Sequence, residues 1–484
     1  MQRSLLTTAV PLVGGILFIL LFAGEKWGIN TVLFTGFLLA VLTIDQPLRR
    51  WSTEGCITAV ASLLLSGLVV LHNTGFAKFC LAGALLLTVG MVHRERVRFL
   101  VFGLLLTLRD LGRAPVAWVR EVWPKRHDPS ALIRLRHAHL LLVPLLLFGC
   151  FYGLYAGANA QFARLSASFW SRAAAWVGNL FSGTESLYFL VGLLLTGAAL
   201  YRSEWPLIIA WKARLHEELV RRRKRKVGLR LHNFVALKNE YRTAILLFAS
   251  VNVLLFLVNL TDLLYVWTPQ AAESAYAMKQ YVHEGTYLLI ASILLAAGIV
   301  LFFFRGNLNF YRQAPLLRKL TYAWIAQNGL LTASVALRNY HYIHEYGLAF
   351  KRIGVIVFLL ATITGLYWLY RKVRYRRTAY YLWHRNTWSV FFLLVLTATV
   401  NWTRLITTYN LSFANERVDW TFLLDELPER NNAQLAAYFE VYRTAYPDAH
   451  ELEKRIIERG EQYATEQAMY SWLSWNWADA QAVR

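Results

Sequence analysis

The residues able to do chemistry gather in the C-terminal half of the chain. Asp262, Glu284, Lys351, Arg352 and Arg404 are ionisable groups at the ends of long apolar runs, and Tyr346, Tyr409 and Asn410 lie close to them in sequence. Clustered guanidinium and ammonium groups suit a phosphate or a carboxylate, since Arg offers a planar fork of donors and Lys a compact charge. Charges at membrane depth are expensive, so they pair with one another or mark a pathway. A purely structural pairing, with Asp262 or Glu284 neutralising Arg352 or Arg404, carries equal weight. His341-x-x-His344-Glu345 follows the same pattern, after Arg338, and could set two imidazoles on one helical face with His283 or Glu284 as further ligands. That spacing arises easily by chance and no HExxH is present, so neither a metal nor another cofactor is expected. Gln327, Asn328 and Asn401 read as hydrogen-bonding links between helices. P-loop, GxSxG and GxGxxG patterns are absent from the sequence, and the reading leans against an enzyme.

The elements that must position these groups are membrane helices. Of the 484 residues, 57% are hydrophobic and only 17% charged, a composition that implies a polytopic membrane protein. The net charge of +22 raises a nucleic-acid partner, but the cations flank apolar runs as cytoplasmic loops beside anionic lipid do. The expected partner is the lipid bilayer, not nucleic acid. Cys56, Cys80 and Cys150 form no CxxC pair and read as small hydrophobes. Residues 1–25 lack a small-x-small cleavage pattern, so they are expected to remain as a first span.

The fold class expected is all-α, with about eleven transmembrane helices and a small helical C-terminal extramembrane domain. The expected spans are 5–23, 29–44, 57–71, 76–92, 138–156 and 187–201, then 244–267, 285–304, 316–337, 353–370 and 388–406. A stretch near 97–108 is too short to cross and reads as interfacial or re-entrant. The segment 161–180, with Trp170 and Trp176, is amphipathic and suits the outer interface.

Between the two sets lies a basic block, Lys212 to Arg230, in which Arg221 to Lys226 are six consecutive cations. Such a run stays on the cytoplasmic side and fixes the direction of every flanking helix. The organisation that follows is an N-terminal membrane half (1–211), a basic cytoplasmic loop (212–240), a C-terminal membrane half (241–411) and an external helical tail (412–484). Alternation places 34 of the 51 Lys and Arg inside, with the N-terminus cytoplasmic and the C-terminus external. The tail has 13 acids against 7 bases from residue 405 onward, a balance that translocated segments tolerate. Turn signals divide it into candidate helices 416–427, 433–445 and 449–472, too small a core to stand without support. Its Trp472-Leu-Ser-Trp-Asn-Trp477 ending suits an interface belt or a packed cap.

Four short motifs carry a resemblance. Tyr281-Val-His-Glu284-Gly285-Thr-Tyr-Leu-Leu289, Tyr346-Gly-Leu-Ala-Phe-Lys351-Arg352, Ile406-Thr-Thr-Tyr409-Asn410-Leu411 and Trp475-Asn476-x-x-x-Ala480 occur in that order. Together they resemble patterns of a family of uncharacterised bacterial membrane proteins, the domain-of-unknown-function groups numbered four-one-five-three and four-one-seven-three. The resemblance covers about residues 237–484. Ala349 stands where the motif has threonine, and Asn401-Trp-Thr403 lacks the acid usually found ahead of Tyr-Asn. The resemblance implies a bacterial inner-membrane protein in which Glu284, Tyr346, Arg352, Tyr409 and Asn410 are the positions to test.

The function expected is a scaffold or signalling component whose outer face and tail engage a protein partner. The alternative is a transporter or a lipid- or glycan-modifying enzyme that holds an anionic group at the outer mouth. Transport commonly shows paired, repeated halves with broken helices, and no repeat is visible here. A third reading, a metal-dependent enzyme, rests on His341 and His344 alone.

Overall fold

The computed structural model describes residues 2–45, 47–92, 97–122, 152, 166–167, 171–172, 183–201, 205–221, 230–265, 267, 297–412, 418–443 and 449–482. Among these residues the secondary structure is helical, and the one β feature is an isolated bridge between Glu218 and Arg377. The expected span 138–156, the segment 161–180 and most of the span 285–304 lie outside the described residues, apart from isolated positions and residues 297–304.

The helices are α1 (Gln2–Phe22), α2 (Ile29–Asp45), α3 (Thr53–His72), α4 (Gly75–Met91), α5 (Leu100–Val122), α6 (Thr184–Leu200) and α7 (Pro206–Arg214). They continue with α8 (Arg230–Tyr265), α9 (Ala314–Tyr346), α10 (Phe350–Arg374), α11 (Ala379–Ala398) and α12 (Trp402–Leu411). The tail contributes α13 (Asn432–Tyr442), α14 (Ala449–Ala468) and α15 (Trp477–Ala482). By length and composition α3, residues 237–264 of α8, and α10 can cross a membrane. Helices α11 and α12 pass the same test together but are bent by 60° at residues 399–401. The apolar stretch near 97–108 belongs to a 23-residue helix, α5, that runs on through Pro115 to Val122.

Two compact units divide the chain. In the first, α1 lies against α6 where Gly14 and Gly15 meet Gly192. Small residues there let the two backbones approach, as membrane helix pairs commonly do. The second unit, residues 27–35, 49–106 and 204–484, holds the candidate site.

Within that unit, α3 and α4 form a hairpin with polar residues at both ends and along its seam. Ser52 caps α3 by accepting from Gly55 N–H and donates its own hydroxyl to the Met91 carbonyl at 2.8 Å. Ser62 and Thr88 hydroxyls meet at 3.0 Å midway. At the far end Asn73 takes a left-handed cap conformation (φ 47°), and Thr74 caps α4.

Helices α8 and α9 are joined by a ladder of amides at heptad spacing. Asn252 donates to the Leu320 carbonyl (3.0 Å) and Asn259 to the Gln327 carbonyl (3.1 Å), while the Gln327 side chain donates to Asn252 Oδ1 (2.7 Å). Gln327 is therefore interhelical glue, as its position implied. Trp267 Nε1 donates to the Ser334 hydroxyl, and Trp368 Nε1 links α10 to Ser389 of α11. On their outer faces Leu246, Leu254 and Phe256 of α8 are exposed, as residues facing lipid chains would be.

The tail does not build a core of its own. Trp420, Leu423, Leu424, Leu427, Leu435, Phe439 and Ile456 pack in one cluster with Leu348 and Ile353 of the α9–α10 joint and with Ile406 and Leu411 of α12. Of the helix expected over 416–427, the described residues keep a short helical stretch at 420–426, whose last five residues, Phe422–Glu426, form a π turn that ends before Pro428. Pro disfavours helical backbone in the residue ahead of it.

Candidate functional site

The second unit has two distinct ends, separated by the length of α3, about 30 Å for a helix of this size. The N-terminal end of α3 is basic. There Glu54 lies 3.7 Å from Arg98, whose carbonyl accepts from His384 Nε2 and Trp388 Nε1. Nearby pairs join Arg377 to Glu218 and His384 to Glu217. The C-terminal end of α3 carries the tail, the α9–α10 joint and the 399–401 corner. His72 Nε2 bonds the Thr399 carbonyl at 3.1 Å across this end.

At the α9–α10 joint, Gly347 ends α9 with φ 80°, a left-handed conformation that glycine adopts freely. Arg352 reaches back from the first turn of α10 and donates to the Tyr346 carbonyl (2.7 Å) and to the Gly347 carbonyl. Its guanidinium lies 4.4 Å from the Tyr342 ring centre, and Tyr342 and Tyr346 pack with centroids 4.8 Å apart. Carbonyls at a helix C-terminus have no partner within the helix, so this cation completes the end of α9. Asn410, buried on α12, accepts from Leu348 N–H (2.6 Å) and donates to the Leu348 carbonyl (2.9 Å). Asn339 of α9 donates to the Arg352 carbonyl at 3.2 Å. Tyr409 packs beside the tail core.

Asp262, only 5% exposed, forms its ion pair with Arg338 of α9. Its partner is thus neither Arg352 nor Arg404, because the α8–α9 ladder sets Asp262 opposite the last turns of α9. Lys351 and Arg404 are exposed. Glu284, with Tyr281 and His283, lies outside the described residues. Of the eight candidate positions, Tyr346, Arg352 and Asn410 converge on one joint. Asn401, by contrast, caps α12 by accepting from Arg404 N–H at 3.1 Å. The His341 ring packs against Tyr340, and no group of three His, Cys, Asp or Glu suited to a metal occurs among the described residues.

Sequence reasoning missed a second polar cluster at the same end. Asp479 of α15 receives hydrogen bonds from Tyr463 (2.7 Å), Asn476 (2.6 Å) and Asn73 (3.2 Å), and pairs with Arg430. Arg430 also donates to the Asn73 carbonyl, so the tail is tied to the α3–α4 turn. Burial alone would raise the Asp479 pKa. The Arg430 charge, with hydrogen bonds from Tyr463, Asn476 and Arg430, outweighs it and holds the carboxyl below its ordinary value. Burial and then the adjacent carboxylate push the Tyr463 phenol up. Alongside, Ile29 N–H donates to the Trp475 carbonyl at 3.1 Å. A Cβ on Gly28 would come within 2.5 Å of the Ser474 and Trp475 backbone, so only glycine fits there. The signals were present in the His72–Gly75 turn and the Trp-Asn-x-x-x-Ala ending, but nothing local links residues 406 apart.

Helices of membrane-crossing length and apolarity, joined by buried amides and closed by capped turns, define a helical membrane protein. The chain belongs to the family described as a domain of unknown function, DUF4153, whose sequence profile matches residues 55–437. The match reaches well upstream of the motifs at 281–411 and stops within α13. No curated protein and no solved structure matches the chain.

Proposed function

We propose that this protein is a multi-pass inner-membrane protein of a bacterium, crossing about eleven times, with a cytoplasmic N-terminus and a tail on the outer side. It acts as a scaffold or signalling component that presents the docked tail to a protein partner. One observation carries this reading: the buried and half-buried polar groups that meet at the tail-bearing end are engaged by the protein itself. Asp262 is taken by Arg338, Arg352 by two carbonyls, Asn410 by Leu348, and Asp479 by Arg430, Tyr463, Asn476 and Asn73. A substrate site needs groups held in place yet left for the ligand; these are held by one another. Among the apolar residues that the tail leaves outward are Val441 and Tyr442 at the end of α13, with Ile457, Met469 and Trp472 also exposed.

A photo-crosslinking residue at Val441 tests the proposal. One discrete protein adduct in intact cells is expected, with none from the same residue at lipid-facing Leu246. Failure to crosslink from any exposed tail position would remove the tail from this role.

The alternative, a transporter or a lipid- or glycan-modifying enzyme, draws on Lys351 and Arg404, which remain exposed at the same end. Binding of an anionic substrate that is lost in Lys351→Gln/Arg404→Gln would favour it.

A further inference from the structure

At the opposite, basic end, α9 begins and α10 finishes, and the cations there outnumber every acid paired with them. Lys372 is 1% exposed, and its ammonium donates to the Phe304 carbonyl at 3.0 Å. Arg318 donates through Nη2 to the Asn309 carbonyl (2.8 Å), while its buried Nε meets no acceptor among the described residues. Arg371 donates to the Tyr367 hydroxyl (3.0 Å) and stacks on Tyr375, and its buried Nε likewise meets no acceptor among the described residues. Arg374 and Arg376 are exposed, and Arg376 lies close enough to Arg318 for the two charges to repel. Among the described residues, Glu54 pairs with Arg98 and Glu218 with Arg377, Glu217 lies 3.5 Å from His384 Nδ1, and Glu240 near the start of α8 forms no ion pair with the arginines of this end.

This arrangement is fixed rather than loose. The turn after α10 is pinned by Leu219 N–H on the Arg376 carbonyl (3.1 Å), Thr378 N–H on the Glu217 carbonyl (3.0 Å) and Arg377 N–H on the Lys372 carbonyl (2.8 Å). Arg376 holds φ 50° there, a conformation uncommon for a non-glycine residue. Tyr322 of α9 and Tyr370 of α10 pack across the helix pair at 5.2 Å. Tyr367, Tyr370 and Tyr375 are exposed beside the guanidiniums, at the end of a helix able to cross the membrane. Tyrosines at such a level sit among lipid headgroups, and an unneutralised arginine fork suits phosphate oxygens.

We infer that Arg318, Arg371, Arg374 and Arg376, at the basic end of the α9–α10 pair, bind the phosphate of an anionic phospholipid. The lipid chains lie along the exposed tyrosine face and the phosphate bridges guanidiniums that otherwise repel. This differs from general attraction to an anionic surface because the groups are set on two helices and a pinned turn.

The full-length protein, exchanged into mixed phosphatidylglycerol and phosphatidylcholine micelles and examined by native mass spectrometry, tests this. The wild type is expected to retain phosphatidylglycerol in preference to phosphatidylcholine. Arg318→Gln/Arg374→Gln/Arg376→Gln should retain it at least about tenfold more weakly while melting as the wild type does, since each juxtamembrane cation contributes to such binding. Equal retention of the two lipids by the wild type would overturn the inference, and needs no variant to fold. So would undiminished retention by a folded triple variant. Displacement of phosphatidylglycerol by inorganic phosphate at equal concentration would reassign the groups to free phosphate and overturn the lipid.

Discussion

The Asn410 carboxamide engages both backbone polar atoms of Leu348, accepting from its N–H at 2.6 Å and donating to its carbonyl at 2.9 Å. The chain between α9 and α10 has no partner strand or helix there, so a side chain on α12 supplies the missing pairing. The same contact puts Leu348 into the tail core, and the joint and the tail therefore stand or fall together.

Asn410→Ala leaves a buried N–H and carbonyl without partners. A loss of about 2–6 kcal/mol is expected at roughly 1–3 per unsatisfied group. Thermal unfolding of the purified protein in detergent reads it. Asn410→Asp should not rescue, because a carboxylate would face the Leu348 carbonyl in place of the amide donor.

Asp262 and Arg338 are a buried pair whose separation strands a charge. Asp262→Ala should cost about 3–5 kcal/mol, and Asp262→Leu/Arg338→Met considerably less, since replacing both members of such a pair is often neutral. If the pair served transport, the double variant would be stable but inactive; in a structural pair, stability and cellular function return together.

Acid should undo the tail clasp. The folded-state pKa of Asp479 lies below its ordinary value, so its contribution is complete above about pH 4 and disappears as pH falls through the folded value. The difference in Tm between wild type and Asp479→Asn should therefore shrink on going from neutral pH to below about 4. Tyr463 works in the other direction. Its raised pKa means that stability is complete below about pH 10 and declines above it, so Tyr463→Phe should flatten the alkaline limb.

Gly28→Ala should release the Trp475 end of the tail. The new methyl meets the Ser474 and Trp475 backbone, which cannot rotate away as a side chain could. Faster proteolysis within residues 449–482, with helix content otherwise kept, is the expected result.

Apolar runs located the helices because a membrane helix must carry its own backbone pairing along a continuous apolar segment. Thus the expected spans at 57–71 and 353–370 sit within α3 and α10, and that at 76–92 overlaps α4, a 17-residue apolar helix ending at Met91. The ends were less legible. α9 continues nine residues past the expected Leu337, because Asn339, Tyr342 and Arg338 find partners there on α10 and α8. The 388–406 run breaks at 399–401, where Asn401 caps a new helix and Trp402 Nε1 bonds the Thr397 carbonyl. Of the candidate site, the motif residues Tyr346, Arg352 and Asn410 were the right ones to single out as neighbours, but their shared engagement with backbone groups depends on contacts across 62 positions. The motif that contains Asp479 was visible in the sequence, but its pairing with Arg430 was not, since their meeting is set by tail docking.

We propose that the tail and the basic end occupy opposite faces of the membrane, with the tail outside. Single cysteines at exposed Val441 and exposed Trp383, in a protein whose native cysteines are replaced, report this with a membrane-impermeant thiol reagent on intact cells. Val441→Cys should label at once and Trp383→Cys only after permeabilisation. Labelling of both from the same side, or of Trp383→Cys alone, would contradict it.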